Sequence, residues 1–326
     1  MKLFTSFGRH LLTLLRRRTN RLNSIKIDKL MNSLPNSRIT LVDVGCAGGL
    51  GPRWQRAQQN LRWFGFEPDE RSFKQLVQHL GNDSDITIFP SAVGADDSEI
   101  VFLLARKPEV SSTFWPNRKF LDLFPDSERW DILSSSRVST KPLDDFQLSS
   151  PDFLKIDIQG GELDALRGCG SYLKNDLIGL EIEVEFLPLY ENQPLFGDVV
   201  SFLDGYQFQF IDFVNLNRWE RTEFSGFGQL VHGDALFLKT PEVLFASEID
   251  VNKVSSYLGC LLLYNRFDLI SRTLDLIPLE DKGKFLNFEL LLKPLLKQFD
   301  AYKKISRIAN LAVSLYSSDA KNHLIY

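Results

Sequence analysis

Residues 41–49, LVDVGCAGG, place the strongest constraint on how this chain folds. A short apolar run ends in Asp43, and small residues follow it at once. Such a run is typical of a buried parallel strand, and a turn without side chains lets a ligand lie against the backbone. Gly45, Ala47 and Gly49, with Asp43 at the strand end, therefore predict a site for a nucleotide-like cofactor. An ordinary tight turn between a strand and a helix is the alternative.

The turn alone does not select the cofactor, because glycine-rich turns also bind nicotinamide and flavin dinucleotides. Leu50 departs from the six-residue glycine pattern of those sites. Glu67 lies 24 residues after Asp43, at the end of the next apolar run, and Pro68 ends that run. A carboxylate at this edge of a sheet accepts both hydroxyls of a ribose. Asp43 and Glu67 together favour a ribose-bearing cofactor over a purely structural turn.

Strand and helix patterns alternate between residues 39 and 240, which predicts an α/β domain with a mostly parallel sheet. The predicted strands cover residues 39–45, 61–68, 85–94, 98–105, 152–160, 176–186, 207–216 and 229–239, the last two forming an antiparallel pair. The predicted helices cover residues 52–60, 69–81, 161–173 and 196–206. Residues 111–136 are predicted to be irregular, and residues 137–146 to be a short extended segment.

Helical spacing replaces the strand patterns after Thr240, where the sequence predicts four helices. Three regions are therefore expected along the chain. They are a basic helical leader (residues 1–38), the α/β domain (residues 39–240) and a C-terminal helical extension (residues 241–326).

Four segments resemble the FkbM family of S-adenosylmethionine-dependent methyltransferases. They are LVDVGCAGG (41–49), FGFEPDE (64–70), SAVGADDSEIVF (91–102), and KPLDDF with DFLKIDIQGGELDALRG (141–146 and 152–168). The last is the most specific, because family members share a Lys-x-Asp-x-(acid or Gln)-Gly-x-Glu block. Here the block consists of Lys155, Asp157, Gln159, Gly160 and Glu162, and Gln159 stands where many members have glutamate. The resemblance spans about residues 39 to 240.

This resemblance implies a Rossmann-like class I methyltransferase fold, in which a mostly parallel seven-stranded sheet has its last strand antiparallel. It implies S-adenosyl-L-methionine as the cofactor and an O-methyltransferase activity, often on glycans or polyketide-type natural products. Ala92 and Val93 would touch the adenine, and Asp157 would lie beside the methyl group or hold the cofactor's amino group. We therefore expect O-methylation of a sugar, a glycan or a related small-molecule hydroxyl.

The candidate catalytic residues are charged side chains near the carboxyl ends of two strands. Asp157 and Lys155 share one strand face, although their mutual charge is alternatively structural. Glu183 alternates with Glu181 and Glu185 along the next strand. Three acids on one strand face are costly if buried, so this face is either wet or part of the active site. Glu183 or Glu185 would then contact substrate hydroxyls.

Three further features have both a functional and a structural interpretation. Glu162 opens a helix, where the helix dipole alone favours an acid. His232 is the one histidine expected near the site, and a satisfied loop histidine is the alternative. An aromatic segment lies where a substrate lid would be, and it either stacks on a sugar or packs in the core. Its aromatic residues are Phe114, Trp115, Phe120, Phe124 and Trp130. No resident metal is predicted.

Charge is distributed unevenly along the chain. Residues 1–38 contain nine Lys or Arg and one acid, whereas the whole chain has a net charge of −4. The leader is expected to pack on the domain, to fray, or to contact an anionic membrane surface peripherally. The acidic domain argues against a nucleic-acid partner. The helical extension is expected to pack on the domain or to support a homodimer or another partner.

Cysteine usage and rival functions complete the expectations. Cys46, Cys169 and Cys260 have neither disulfide-framework nor zinc spacing, which predicts a reducing, cytoplasmic location. A nicotinamide-dependent oxidoreductase would need a hydride-handling Tyr/Lys pair, which the sequence does not reveal. A catalytically degenerate methyltransferase fold that acts as a scaffold is the other rival, although the acids at residues 43, 67 and 157 argue against it.

Overall fold

The computed structural model describes residues 27–80, 83–221 and 228–297. The described chain forms two compact units. One comprises residues 38–260, and the described part of the other comprises residues 27–37 and 261–297. Most of the predicted basic leader and the end of the predicted helical extension lie outside the described residues. Within those residues, no helix is long and apolar enough to cross a membrane.

Ten strands are found in the described part of the first unit, numbered here in chain order. They are β1 (Ile39–Val44), β2 (Leu61–Phe66), β3 (Ile86–Phe89), β4 (Ala92–Val93), β5 (Ser98–Ala105), β6 (Ile132–Lys141), β7 (Phe153–Ile156), β8 (Gly179–Glu185), β9 (Phe208–Trp219) and β10 (Gln229–Lys239). Seven of them form the main sheet in the order β3-β2-β1-β7-β8-β10-β9. The pairings from β3 to β8 are parallel, and β10 is antiparallel to both neighbours. The predicted class I methyltransferase fold is confirmed.

The central strands are apolar because both faces of the sheet are covered. All six residues of β1 are buried. Phe66, Leu154, Ile156 and Leu180 belong to one core cluster that also receives side chains from the flanking helices. Burial of each such side chain stabilises the fold by about 1.5–3 kcal/mol. This core holds the carboxyl ends of β1, β2 and β7 in register, and those ends carry the candidate site residues.

The predicted strand over residues 85–94 is in fact two strands in different sheets. β3 ends at Phe89, and Pro90 interrupts the ladder because proline has no amide hydrogen to donate. β4 then joins a second, three-stranded sheet in the order β4-β6-β5. The ten-residue strand β6 also replaces part of the segment predicted to be irregular. β6 is mostly exposed and rich in serine, so it lacks the apolar alternation by which strands are recognised.

The helices between the strands lie close to their predicted positions, with one division, except Arg118–Leu121, which lies in the segment predicted to be irregular. They are Pro52–Gln55, Glu70–Leu80, Arg118–Leu121, Glu162–Arg167, Gly170–Asn175 and Phe196–Asp204. The predicted helix over residues 161–173 is divided at Gly168. A Cβ at this position would lie 2.0 Å from the carbonyl oxygen of Gly94, so the chain needs glycine for this close approach.

The first unit continues beyond the last strand of the sheet. The helices Pro241–Leu244 and Val251–Leu263 follow β10. Lys253 Nζ forms a salt bridge with Asp152 Oδ1 at 2.7 Å, and Tyr257 Oη donates a hydrogen bond to the carbonyl of Lys239 at 2.8 Å. These contacts attach residues 241–260 to the ends of β7 and β10.

The described part of the second unit is helical. Residues 27–31, the helix Phe267–Leu276 and most of residues 279–297 are helical. Apolar side chains such as Leu30, Met31, Phe285 and Phe288 are buried. The number of helices predicted after residue 240 includes residues beyond 297, so that count stays a prediction.

Candidate functional site

The turn after β1 is a strained, bare stretch of backbone. Gly45 has φ = +87°, and a Cβ there would lie only 1.9 Å from the carbonyl oxygen of Asp157. Gly49 also has a positive φ, of 73°. Ala47 and Gly48 are exposed. The turn therefore requires glycine at position 45 and presents main chain to its surroundings.

Asp43 lies beneath this turn and pairs with Lys155. The two residues are opposite each other in the β1–β7 ladder, and Lys155 Nζ donates to Asp43 Oδ1 at 3.2 Å. Asp43 is 1% exposed, and this burial raises its pKa against the opposing influence of the lysine. Burial lowers the pKa of Lys155, but Asp43, Asp157 and Glu181 together raise it above the ordinary lysine value. The pair keeps a charged group at the end of each strand.

Glu67 follows β2 and turns back toward the glycine-rich turn. Its Oε1 accepts a hydrogen bond from the amide of Asp69 at 2.8 Å, and the amide of Ala47 also hydrogen-bonds to this carboxylate. Glu67 is buried, and this burial raises its pKa to about 7. The predicted carboxylate is therefore present at the sheet edge, adjacent to the turn.

A cavity of about 540 Å³ lies at this edge of the sheet. Gly45, Ala92 and Val93 line it, together with Phe66 and Pro68 on either side of Glu67. The structure thus brings the predicted adenine-contacting residues and the glycine-rich turn to one cavity. The other predicted cofactor residues, Asp43, Ala47, Gly49, Glu67 and Asp157, are not among the residues that line it. The cofactor-binding role of each of these residues stays a prediction.

Gln159 connects the acids at the ends of β7 and β8. Its Nε2 donates to Asp157 Oδ1 at 3.1 Å and to Glu183 Oε2 at 2.6 Å, and its Oε1 accepts from Tyr190 Oη at 3.2 Å. Its backbone is left-handed, with φ = +61°. Its carbonyl accepts from Ser112 Oγ at 2.6 Å, which attaches the aromatic segment to this turn. A glutamine supplies both donor and acceptor here, whereas a glutamate would add a further negative charge.

Glu183 and His232 form a hydrogen-bonded pair. His232 Nδ1 lies 2.9 Å from Glu183 Oε1. Burial, Asp157 and Glu185 raise the pKa of Glu183 well above its ordinary value. Burial lowers the pKa of His232, Asp157 raises it, and Arg129 lowers it further. His232 lies within β10, so it is not the loop histidine that the sequence allowed as an alternative.

The remaining acids of this region are buried. Glu162 accepts hydrogen bonds from the amides of Ile158 and Gly160 at 2.9–3.1 Å, and burial raises its pKa to about 7. Glu183 and Glu185 are 8% and 2% exposed, so this face of β8 is not wet. Among the described residues, no three His, Cys, Asp or Glu side chains are grouped to hold a metal ion.

An aromatic cluster lies beside His232. Trp130 and Tyr190 are buried in one apolar cluster, and Phe114, Phe120 and Trp219 pack against it. The Trp219 ring is 5.9 Å from the His232 ring in an edge-on arrangement. Sequence reasoning missed Trp219 and Arg129, because nothing local to either residue relates it to position 232.

Residues 54–210 match the family model described as the methyltransferase FkbM domain. The chain contains an FkbM methyltransferase domain. S-adenosylmethionine is therefore its cofactor. The match begins after the glycine-rich turn and ends within β9, so it is shorter at both ends than the predicted span of residues 39 to 240. It includes Glu67, Glu183 and the block from Lys155 to Glu162.

The solved structures that are similar to this chain share little sequence with it. Methyltransferase FkbM from Methylobacillus flagellatus KT has 18% identity and a TM-score of 0.39, and the match covers 62% of this chain and 43% of that chain. Magnesium protoporphyrin IX methyltransferase from Synechocystis PCC 6803, with bound SAM, has 11% identity and a TM-score of 0.34, covering 69% and 79%. TrmK from M. capricolum, in complex with S-adenosyl-homocysteine, has 13% identity and a TM-score of 0.30, covering 84% and 96%. The chain thus spans less than half of the Methylobacillus chain. None of the curated proteins compared matches it significantly.

The chemistry of the cavity edge fits S-adenosylmethionine. Gly45 lets the turn pack closely against the carbonyl of Asp157, where any side chain would clash. Glu67 supplies an acceptor-only group, when ionised, for a ribose diol. Phe66, Ala92 and Val93 supply the apolar contacts that an adenine ring requires.

Proposed function

We propose that the FkbM domain methylates a hydroxyl of a sugar or a related small molecule, with His232 as general base. The observation that carries this proposal is the 2.9 Å hydrogen bond between His232 Nδ1 and Glu183 Oε1. A carboxylate that accepts from Nδ1–H fixes the imidazole tautomer and leaves Nε2 free to take a proton. Glu183 therefore acts through His232 as a positioning residue, rather than through the direct contact with substrate hydroxyls that its place on β8 suggested.

The charge state of the pair suits a base. His232 can accept a proton from the acceptor hydroxyl when Glu183 is ionised and His232 itself is neutral. Burial lowers the pKa of His232, which favours the neutral imidazole. Burial raises the pKa of Glu183, so the pair as a whole takes up a proton at a higher pH than an ordinary glutamate. Methylation is therefore expected to slow as the pH falls through this raised pKa.

S-adenosylmethionine, when bound, supplies an electrophilic methyl group on a sulfonium. We assign Gly45, Glu67, Ala92 and Val93 to holding it, in keeping with the cavity that brings the turn and the adenine-contacting residues together. Asp157 is assigned to the cofactor's amino group, with Gln159 orienting the carboxylate at 3.1 Å. The chain's own contribution to the reaction is orientation and the removal of one proton.

Aromatic rings beside His232 favour a sugar as acceptor. Trp219 is partly exposed and is 5.9 Å from the imidazole. Indole faces stack well on the apolar face of a pyranose, which buries carbon-bound hydrogens and leaves hydroxyls at the edge. A hydroxyl at that edge would then lie near Nε2 of His232, which takes its proton.

His232→Asn tests the proposal. The asparagine amide occupies the position of Nδ1 and keeps a donor for Glu183, but the chain then lacks Nε2. We expect kcat to fall about 10²–10⁴-fold in assays of S-adenosylhomocysteine formation with a panel of glycosides. Affinity for S-adenosylhomocysteine should stay unchanged by calorimetry. His79→Asn, on an exposed helix position, is the matched control. Full activity of His232→Asn would remove His232 from the mechanism.

A further inference from the structure

Arg129 packs over two neighbouring indole rings beside the proposed acceptor site. It lies in the short 3-10 helix Ser127–Trp130. Its Cζ is 4.0 Å from the Trp130 ring centroid and 5.0 Å from that of Trp219. Stacking of this kind positions a guanidinium but uses none of its hydrogen-bond donors.

The hydrogen-bond donors of the Arg129 side chain have no partner among the residues that the structure describes. Its Nε is buried and has no hydrogen-bond partner. The side chain forms no salt bridge or hydrogen bond with any residue that the structure describes. A buried Nε cannot reach a ligand, so the two terminal nitrogens are the donors that an anion would meet. Asp126 and Glu128 act on the guanidinium only through space, and both are exposed.

Arg129 and His232 share one neighbour. Trp219 contacts the guanidinium at 5.0 Å and the imidazole at 5.9 Å. A single hexuronate or hexose phosphate stacked on Trp219 is long enough to present a hydroxyl to His232 and its anionic group to Arg129. The tryptophan would then set the distance between the two recognised groups.

Charge fixes the direction in which such a molecule enters. Asp157, Glu162 and Glu185 act electrostatically on Glu183, the hydrogen-bond partner of His232, and the three glutamates are buried. An anionic group is repelled from these acids. Arg129 is a cation beside the aromatic cluster, and its planar fork matches carboxylate and phosphate oxygens.

We propose that Arg129 is the specificity residue of the acceptor site and that it selects an acceptor carrying an anionic group, a carboxylate or a phosphate. The inference rests on the proposed function for the hydroxyl end of the acceptor, but the anion site itself stands on Arg129, Trp130 and Trp219. The shared chemistry is an oxyanion with two in-plane acceptors. Uronic acids and sugar phosphates are its two sources.

Binding of an anion to Arg129 would also change the basicity of His232. After burial and the opposing influence of Asp157, Arg129 lowers the pKa of His232. An anion bound to Arg129 screens that charge. The imidazole then becomes a stronger base in the presence of the selected acceptor than beside a neutral one.

The test is direct binding to the full chain in the presence of S-adenosylhomocysteine. The probes are glucose, glucuronate and glucose 6-phosphate, titrated by tryptophan fluorescence and calorimetry. We expect one or both anions to bind at least about ten-fold more tightly than glucose, the usual effect of a charge-assisted bidentate contact. Arg129→Met should abolish that preference, Arg129→Lys should keep part of it, and the exposed Arg137→Met should keep all of it. The anion that binds more tightly identifies the source.

Equal affinity for the three probes, no detectable anion binding, or a preference that survives in Arg129→Met would overturn the inference. Circular dichroism and cofactor affinity of each variant establish that it is folded, and Arg129→Lys covers the case in which Arg129→Met is not. If neutral glycosides are methylated without any preference for anions, only the anion inference fails. If anions bind through Arg129 but no hydroxyl is methylated, the proposed function fails and the anion site stands.

Discussion

At the scale of single residues, the site contains several buried acids, and burial raises the pKa values of Asp43, Glu67, Glu162, Glu183 and Glu185. Glu67 is the clearest example. It lies at the sheet edge with a pKa raised to about 7 by burial, and two backbone amides donate to it. Below that pH it is protonated, so one oxygen becomes a donor and loses acceptor capacity. Binding of a ribose diol by Glu67 would therefore depend on pH.

We expect affinity for S-adenosylhomocysteine to be about ten-fold weaker at pH 6 than at pH 8, because Glu67 must ionise to accept both hydroxyls. Glu67→Gln should lower the affinity at pH 8 by about 1–3 kcal/mol and remove the pH dependence. Calorimetric titration at both pH values measures this.

The neighbouring exposed Glu70→Gln is the control for Glu67, since its partner is Lys74 on the same helix. A Glu67→Gln variant that binds as tightly as the unaltered protein at pH 8 would take Glu67 out of the cofactor site.

At the scale of elements, the turn from β1 into the following helix is held by backbone geometry. Gly45 occupies a left-handed conformation, and the carbonyl of Asp157 fills the space that a Cβ would need. The amides of Gly45 and Cys46 both donate to the carbonyl of Phe66, at 3.0 and 3.2 Å. The turn is therefore joined to the end of β2, and a change at one position disturbs both strand ends.

Gly45→Ala should lower the free energy of unfolding by at least about 3 kcal/mol, since left-handed strain and overpacking each cost about 1–3 kcal/mol. Urea denaturation measures the loss. Gly48 offers a matched control in the same turn, because no atom lies within 4 Å of the Cβ that alanine would add.

Gly48→Ala should change stability by less than about 0.5 kcal/mol. Equal effects of the two substitutions would show that the turn relaxes in solution, and its close approach to Asp157 would then be no constraint.

At the scale of the whole molecule, buried carboxyl groups set how stability depends on pH. Burial raises the pKa values of Glu67 and Glu162 to about 7 and that of Asp234 to about 6. Each group is more easily protonated in the folded chain than in the unfolded chain. The stability that this contributes is fully present below the ordinary carboxyl pKa and is lost as the pH rises through 6 to 7.

The free energy of unfolding without cofactor should therefore fall between pH 5 and pH 8, on the order of 1 kcal/mol per pH unit for each group where it titrates. Urea denaturation at four pH values measures the slope. Glu162→Gln should flatten it, and the exposed Glu109→Gln is the control. Stability that rises across this range would mean that the acids are ionised and fully compensated in the folded state.

The sequence by itself determined the sheet and the cofactor edge. The order of strands and helices follows from apolar periodicity, and Asp43, Gly45 and Glu67 stand at strand ends that a parallel sheet must bring to one side. Those features are local, since each depends on a few neighbouring residues. The division of residues 85–94 into β3 and β4 was not recognised, although Pro90 was the signal for it. Residues 137–141 of β6 were predicted to be extended, but residues 132–136 gave no signal, because their exposed serines have no periodicity.

Only the tertiary structure decided the acceptor side of the site. The insertion of β10 between β8 and β9 brings His232 to Glu183, 49 positions away in the chain. The packing of residues 127–130 against the end of β9 places Arg129 over Trp219. Such pairs depend on register and packing between segments that are remote in sequence, and a periodicity carries no information about which remote segment will be the neighbour. The chemistry of the strand ends is therefore readable from the chain, whereas the residues proposed to select the acceptor are readable only from the fold.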